Sequence, residues 1–323
     1  MRIAFLGDVM LGRLVNEILK KEKPEYIWGN TLEILKKADL KICNLECVIS
    51  DKGQPWSLTP KVFHFRSDAK NVKVLKVANI NLVSLANNHS LDFGYEALLE
   101  MLEILKKNKI LYSGAGLNLK EASQPAVFYL KGKKIGFIAF TDNEPAWSAE
   151  EDKPGIFYVE LRKNGENIDY LFELTKKTKK VVDFLIVSAH WGPNWGYEPL
   201  KEHIYFAHKF IDYGADFIFG HSPHIFRGIE IYKNKFILYS AGDFVDDYAV
   251  DEVERNDESF IFIYNKISSK EYLELYPTII ENFQAKLARE EKEIIIEKMR
   301  LLCKKLGTEA RKEKYRLVIQ LKS

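Results

Sequence analysis

The chain has 323 residues, enough to bury a substantial core as one large domain or as a domain with an appendage. Its 48 Lys and Arg against 46 Asp and Glu leave a formal charge of +2, so no global field favours nucleic acid or an anionic membrane, and neither is an expected partner. No stretch approaches the roughly 20 apolar residues of a spanning helix, and the opening MRIAFLGDVM has only Ile3 to Leu6 as an apolar run, far short of a secretion-signal core. A cytoplasmic protein with no membrane anchor is the expectation.

In chain order, short apolar, β-branched or aromatic runs read as strands: RIAFL from Arg2, LKICN from Leu40, INLVSL from Ile80, AVFYL from Ala126 and KIGFIAF from Lys134. DFLIVSA from Asp183, DFIF from Asp216, GIEIY from Gly228, KFILYS from Lys235, SFIFIY from Ser259 and a last YRLVIQL from Tyr315 continue the series. Helical patterns alternate with them. One opens on the Ser-Asp cap signal at Ser67 and runs to Val77; another, Gly94 to Asn108, lines up Ala97, Leu98, Met101, Leu102 and Leu105 on one stripe. A third, PLKEHIYFAHKFIDYG, ends on Gly214. AVFYL-KGK-KIGFIAF and GIEIY-KN-KFILYS follow one another without a helix, so hairpins are expected and the sheets are mixed. After about Asn265 the composition turns Lys/Glu-rich, with a long helix expected near Asn282 to Leu306. We therefore divide the chain into a main domain, 1–265, and a C-terminal helical extension, 266–323, packed on it.

The strand ends carry the chemistry. RIAFLG leads to Asp8, LKICNL to Asn44 and Glu46, LVSLAN to Asn88 and His89, DFLIVSA to His190, and DFIFG to His221 and His224. Carboxyl ends of strands in an open α/β sheet share one edge, so these side chains are placed to converge on one crevice. A lone histidine at a strand end is usually structural; four of the seven histidines at such ends favour metal binding. Carboxylate, amide and imidazole donors without a thiolate suit Mn, Fe or Zn. There are more donors than one tetrahedral ion needs, and two ions would activate a water between them. Cys43, Cys47 and Cys303 read as buried thiols. Abundant Lys, Glu and Ile with sparse Gln and Met point to a thermophilic source.

The segments GDVMLGR, NLE, ANNHSLDFG, GAGLN, SAHWG, GADFIFGHSPHIFRGIE and YSAGDF run in this order from Gly7 to about Phe244. Together they resemble the calcineurin-like metallophosphoesterase superfamily, and more closely its capsule biosynthesis protein A (CapA) or poly-gamma-glutamate synthesis branch. The resemblance implies a four-layered αββα sandwich with mixed sheets and two divalent metal ions. It implies Asp8, Glu46, Asn88, His190, His221 and His224 as ligands, Glu46 bridging, with His89 protonating the leaving oxygen and Asp92 orienting its ring. Two departures stand out: Met10 replaces a ligand histidine, and Ser222 and Pro223 separate His221 from His224 where the superfamily has one residue. Asp243 stands where the branch commonly has Asn, adding negative charge near the site, although the acidic run from Asp243 to Asp247 reads by default as a solvated loop.

The implied activity is phosphoesterase-type hydrolysis of a small anionic substrate by a metal-activated water. A second reading is synthesis, processing or binding of a polyglutamate-like polymer, and a third is a non-catalytic binding module whose metal site Met10 has degraded. Arg13, Arg66 and Arg227 are candidates to clamp a phosphate or carboxylate, with ordinary ion pairing as the alternative. Asn44 and Trp191 complete the candidate substrate-binding set. His203 and His208 read as surface or interface residues.

Overall fold

The computed structural model describes residues 1–322. Two sheets dominate it. The larger has ten strands and runs Arg311–Glu313, Arg316–Gln320, Lys270–Glu281, Glu258–Ile267, Arg2–Val9, Leu40–Leu45, Leu82–Ser84, Leu111–Ser113, with Asp243–Val245 also paired to Arg2–Val9 and Gln284–Leu287 to Lys270–Glu281. The smaller has six: Ile229–Tyr232, Lys235–Leu238, Phe217–His221, Phe184–His190, Lys133–Thr141 and Ala126–Leu130. Both are mixed, as expected. The first strand is parallel to Leu40–Leu45 and antiparallel to Glu258–Ile267. Both two-residue hairpin turns of the smaller sheet have their two residues in the left-handed region, Lys131 (φ 49°) and Gly132 (φ 77°), and Lys233 (φ 46°) and Asn234 (φ 59°), which matches the twist of the flanking strands.

Alternation along the strands builds four layers. In the first strand Ile3 and Phe5 face the other sheet, while Ala4 and Leu6 face helices. Phe5 stacks on Phe217 of the smaller sheet, ring centroids 4.4 Å apart, and Leu40, Ile42 and Leu82 join Phe137, Ile186 and Phe219 in this inter-sheet core. On the outer face of the larger sheet, Leu6, Cys43 and Val83 meet Leu98, Met101 and Leu105 of the helix Gly94–Lys107. On the outer face of the smaller sheet, Ile138, Leu185 and Val187 meet Phe172 and Phe210 of the helices Glu166–Lys179 and Lys201–Asp212. The result is an αββα sandwich. All three cysteines are buried and free.

The C-terminal region departs from its expected form. The helix foreseen from Asn282 begins only at Lys292 and ends at Lys305, and the segment before it is the strand Gln284–Leu287. Lys270–Glu281, to which no element was assigned from sequence, pairs through Lys270 to Ile279 with all of Glu258–Ile267. Pro277 is tolerated because it falls between the residues that pair with Arg316–Gln320 (Tyr272 to Leu275) and those that pair with Gln284–Leu287 (Thr278 to Glu281). The buried Glu274 is held by Arg2 (3.1 Å) and Arg316 (2.6 Å). Residue 265 lies inside the strand Glu258–Ile267, and Ile295, Met299 and Leu302 of the last helix enter the inter-sheet core.

Candidate metal and catalytic site

Strand register brings the donors together. At the end of the first strand Asp8 lies opposite Asn44 on one side and Asp243 on the other, and in the second sheet His190 lies opposite His221. The approach of the Asp243 segment depends on Gly7: a Cβ there would sit 1.7 Å from the Gly242 carbonyl oxygen, which instead accepts the Asp8 N–H at 3.0 Å. Ser222, directly after His221, is held at φ 100°, backbone strain of the kind found at functional turns.

His190 and His221 are each oriented through Nε2. His221 Nε2 bonds Ser188 Oγ at 2.8 Å and His190 Nε2 bonds Asn88 Oδ1 at 3.0 Å. With Nε2 so occupied, the two Nδ1 atoms, 2.9 Å apart, turn toward Asp8, whose Oδ1 is 4.0 Å from His221 Nδ1. Donor atoms of Asp8, His190 and His221 all lie within 4.8 Å of one another, and so do those of Asp8, His224 and Asp243. Asp8 is common to both groups.

The electrostatics suit a bound cation. Burial pushes the Asp8 carboxyl up to about 6 and Asp246 up to about 7, and drives Glu46 and Asp243 well above the carboxylate range, with neighbouring carboxylates adding to the last two. Asp8 Oδ2, Glu46 Oε2, Asp243 Oδ2 and Asp246 Oδ2 are buried without a hydrogen-bond partner. The nearby cations are committed elsewhere. Arg13 pairs with Asp247, and Lys61 with Glu144 (3.0 Å) and Asp92 (3.6 Å). Burial also holds His221 down at about 3 and His224 at about 4, and His190 well below its usual value, so the imidazoles stay neutral, the form that ligates metal. The donor set therefore fits divalent cations.

Beside this cluster is a cavity of about 580 Å³ whose wall includes Asn88, His89, His224, Arg13 and Lys61. His89 Nδ1 meets Asp92 Oδ2 at 2.6 Å, and its Nε2 is 4.0 Å from Glu46 Oε1. The ring is sandwiched on Phe65, centroids 3.9 Å apart, and Asp92 Oδ2 also accepts the Phe65 N–H at 2.6 Å. Asn87 ties the turn behind it, donating to Asn44 Oδ1 and the Leu45 carbonyl and accepting the His89 N–H.

Residues 2–248 match the family model described as bacterial capsule synthesis protein PGA_cap. The chain belongs to this family. A probable polyglutamine synthesis accessory protein of Mycobacterium tuberculosis is 33% identical over 280 residues, covering 75% of this chain and 73% of the relative. Capsule biosynthesis protein CapA of Bacillus anthracis is 29% identical over 251 residues, 76% of this chain and 59% of its own length. Among solved structures, a putative 5′-nucleotidase from Staphylococcus aureus is similar at TM-score 0.49 and 14% identity, covering 95% of this chain and 58% of that one.

Within this PGA_cap chain the expected residues divide clearly. Asp8, Glu46, Asn88, His89, Asp92, His190, His221 and His224 surround one locus, and Arg13 lines the adjoining cavity. Asn44 is fully buried behind Asp8, donating to its Oδ1 at 2.8 Å, rather than facing the cavity. Trp191 is a core residue: its indole N–H donates to the Tyr239 carbonyl and its ring stacks on His203, 4.9 Å away. Arg227 is buried and braces a loop through the carbonyls of Gly196 and Trp195. Arg66 lies over the Phe93 ring at 4.2 Å and donates to the carbonyls of Lys52 and Gly53. His203, expected at the surface, is buried. Asp243 and Asp246 are not solvated either; the acidic run hides two carboxyls beside Asp8, and the signal was the place of Asp243 just past the KFILYS run. Lys61 was missed because it sits in an irregular loop, with Nζ over the Trp147 ring at 4.8 Å. No helix among the described residues is long and apolar enough to cross a membrane.

Proposed function

We propose that this chain is a metal-dependent hydrolase of phosphoesterase type. The observation that carries the reading is the set of four buried carboxyl groups with unpartnered oxygens, packed against neutral imidazoles at the edge of a cavity. Asp8, His190 and His221, with Glu46 and Asn88 beside them, would hold one divalent ion; Asp8, His224 and Asp243 are the donors for a second. Such ions, when bound, screen developing charge and acidify water. Met10 is no obstacle to this, since its sulfur accepts the Gly12 N–H at 3.0 Å inside the core and Asp243 stands at the same strand end as a carboxylate donor.

The chain's own residues then have separate tasks. Asp92 holds the His89 ring through Nδ1, leaving Nε2 toward the cavity. Water, having lost a proton to solvent, bonds through oxygen to phosphorus as the ester P–O bond breaks, and a solvent proton relayed through Nε2 of His89, a ring that burial keeps neutral at rest, goes to the departing oxygen. Lys61 donates to the Asn88 carbonyl, which fixes the turn carrying both Asn88 and His89. The test is turnover of phosphomonoesters and diesters by protein purified with Mn²⁺. No turnover above that of a Glu46→Ala, His190→Ala double variant would discard the proposal.

A second reading rests on the relatives' names, polyglutamine synthesis accessory protein and capsule biosynthesis protein. In it the same site processes or binds a γ-linked carboxylate polymer. Retention of poly-γ-glutamate by the immobilised protein, lost in the same double variant, would favour it; no binding and no processing would remove it.

A further inference from the structure

Beside its polar groups the cavity wall carries apolar and aromatic side chains, Pro60, Val62, Phe63, Phe65, Trp195 and Tyr248, of which Phe65 stacks on the His89 ring. Three of them are left open to solvent although they are large: Val62 at 84% exposure, Phe63 at 57% and Trp195 at 42%. Contiguous exposed apolar surface beside convergent polar groups is the ordinary anatomy of a ligand pocket. The loop that supplies Val62 and Phe63 is fixed rather than loose. Lys61, one residue before, is buried in ion pairs with Glu144 and Asp92, and Phe65, two residues after Phe63, packs on the His89 ring.

The charge on this wall is small. Lys61 is neutralised by its two acids. Arg13 gives Nε and Nη2 to Asp247 and lies over the rings of Phe65 (5.0 Å), Tyr248 (5.5 Å) and Phe63 (5.7 Å); its Nη1 has no protein acceptor among the described residues. One guanidinium N–H₂ is thus the free cationic contact, framed by aromatic faces. A polyanion placed here would meet a single partly neutralised cation and the acids Glu144 and Asp247, whereas an apolar group would cover rings now exposed to water.

We propose that the substrate of this site is an ester pairing one small anionic head with an apolar organic group about the size of an aromatic ring. The head faces His89 and Asn88, the organic group lies against Phe63, Phe65, Tyr248 and Trp195, and Arg13 Nη1 contacts an oxygen of the head. This assignment rests on the hydrolase reading and excludes a highly charged polymer as the ligand of the cavity.

The test compares 2-phenylethyl phosphate with ethyl phosphate, which share the head, its charge and the character of the leaving alcohol, on the Mn²⁺-loaded protein. Covering one ring with aromatic walls is worth roughly tenfold in affinity, so KM for the phenylethyl ester is expected to be about tenfold lower by the same reasoning. A Phe63→Ser, Trp195→Ser double variant, altered only at exposed positions, should bring the ratio of the two KM values close to one. Calorimetric binding of the matching phosphonates gives the same comparison without turnover. Equal KM values and equal phosphonate affinities would overturn the inference while leaving the hydrolase reading intact. Absence of turnover with a tenfold preference for 2-phenylethylphosphonate would do the reverse, and poly-γ-glutamate competing against the phosphonate would overturn the exclusion of polyanions.

Discussion

Removing divalent metal should make the protein's stability fall steeply with pH just above neutrality. In the metal-free chain burial raises all four carboxyls, and the Asp8 charge further raises Glu46 as the Asp246 charge raises Asp243. Each pair keeps one proton in the fold where the unfolded chain, with ordinary carboxyls, has released it. The folded state then binds more protons than the unfolded state, and stability declines as pH rises. Below about pH 6.5 this is masked, because His203, His221 and His224, held at about 4, 3 and 4, are neutral in the fold and protonated when unfolded, and act with the opposite sign. Above it the imidazoles are silent. Two retained protons cost about 3 kcal/mol per pH unit, which for a chain of this length is a fall of about 5 °C in Tm between pH 7.5 and 8.5. Differential scanning calorimetry on chelator-treated protein measures it, with excess Mn²⁺ in parallel. The ion displaces the retained protons, so the Mn²⁺ series should be flat over that window and the stabilisation by metal should grow with pH. A metal-free series that is flat or rising, or a slope unchanged by Mn²⁺, would refute the claim that these carboxyls form an uncompensated cluster.

Asp243→Asn should halve that metal-free slope, raise the metal-free Tm, and reduce bound metal from two ions per chain to one by elemental analysis. Asp92→Asn leaves the His89 ring without its carboxylate partner (2.6 Å), and kcat in a phosphoesterase assay should drop by about 10²-fold with KM nearly unchanged. Phe5→Ala, which empties the ring stacked on Phe217 at 4.4 Å, should cost about 3–5 kcal/mol in urea unfolding without altering metal stoichiometry in the folded protein. Gly7→Ala should lower metal content at least as severely as Asp243→Asn, since its Cβ would collide with the Gly242 carbonyl and push the Asp243 strand away.

Much of the fold was legible because its determinants are local. Alternating runs such as KIGFIAF place Phe137 and Ala139 on one face and Ile138 and Phe140 on the other, so their sheet has to be covered on both sides. The Lys233-Asn234 turn announced its hairpin by its shortness. Lys270–Glu281 was illegible for the opposite reason: its charged residues are balanced by partners far away in sequence, Arg2 and Arg316 on Glu274, and its Pro277 is excused by a gap between two short neighbouring strands. No window of sequence contains those compensations.

The site divides along the same line. Residues at the ends of well-formed strands, Asp8, His190 and His221, could be placed because strand direction alone sends them to a common edge. Orientation is a different matter. Trp191 follows His190 directly yet points the opposite way, into the helix layer against His203, because alternation along a strand reverses the side chain at every step. Arg227, in the connection between two strands, turns inward onto the carbonyls of the 195–196 loop instead of joining the wall that Trp195 forms. Asp243 joins Asp8 only because Gly7 lets the Gly242 carbonyl approach its backbone where the two strands pair. A carboxylate delivered by that contact in a chain whose Met10 offers no donor makes the proposed metal centre depend on the close approach of the 241–246 segment as much as on the ligand motifs themselves.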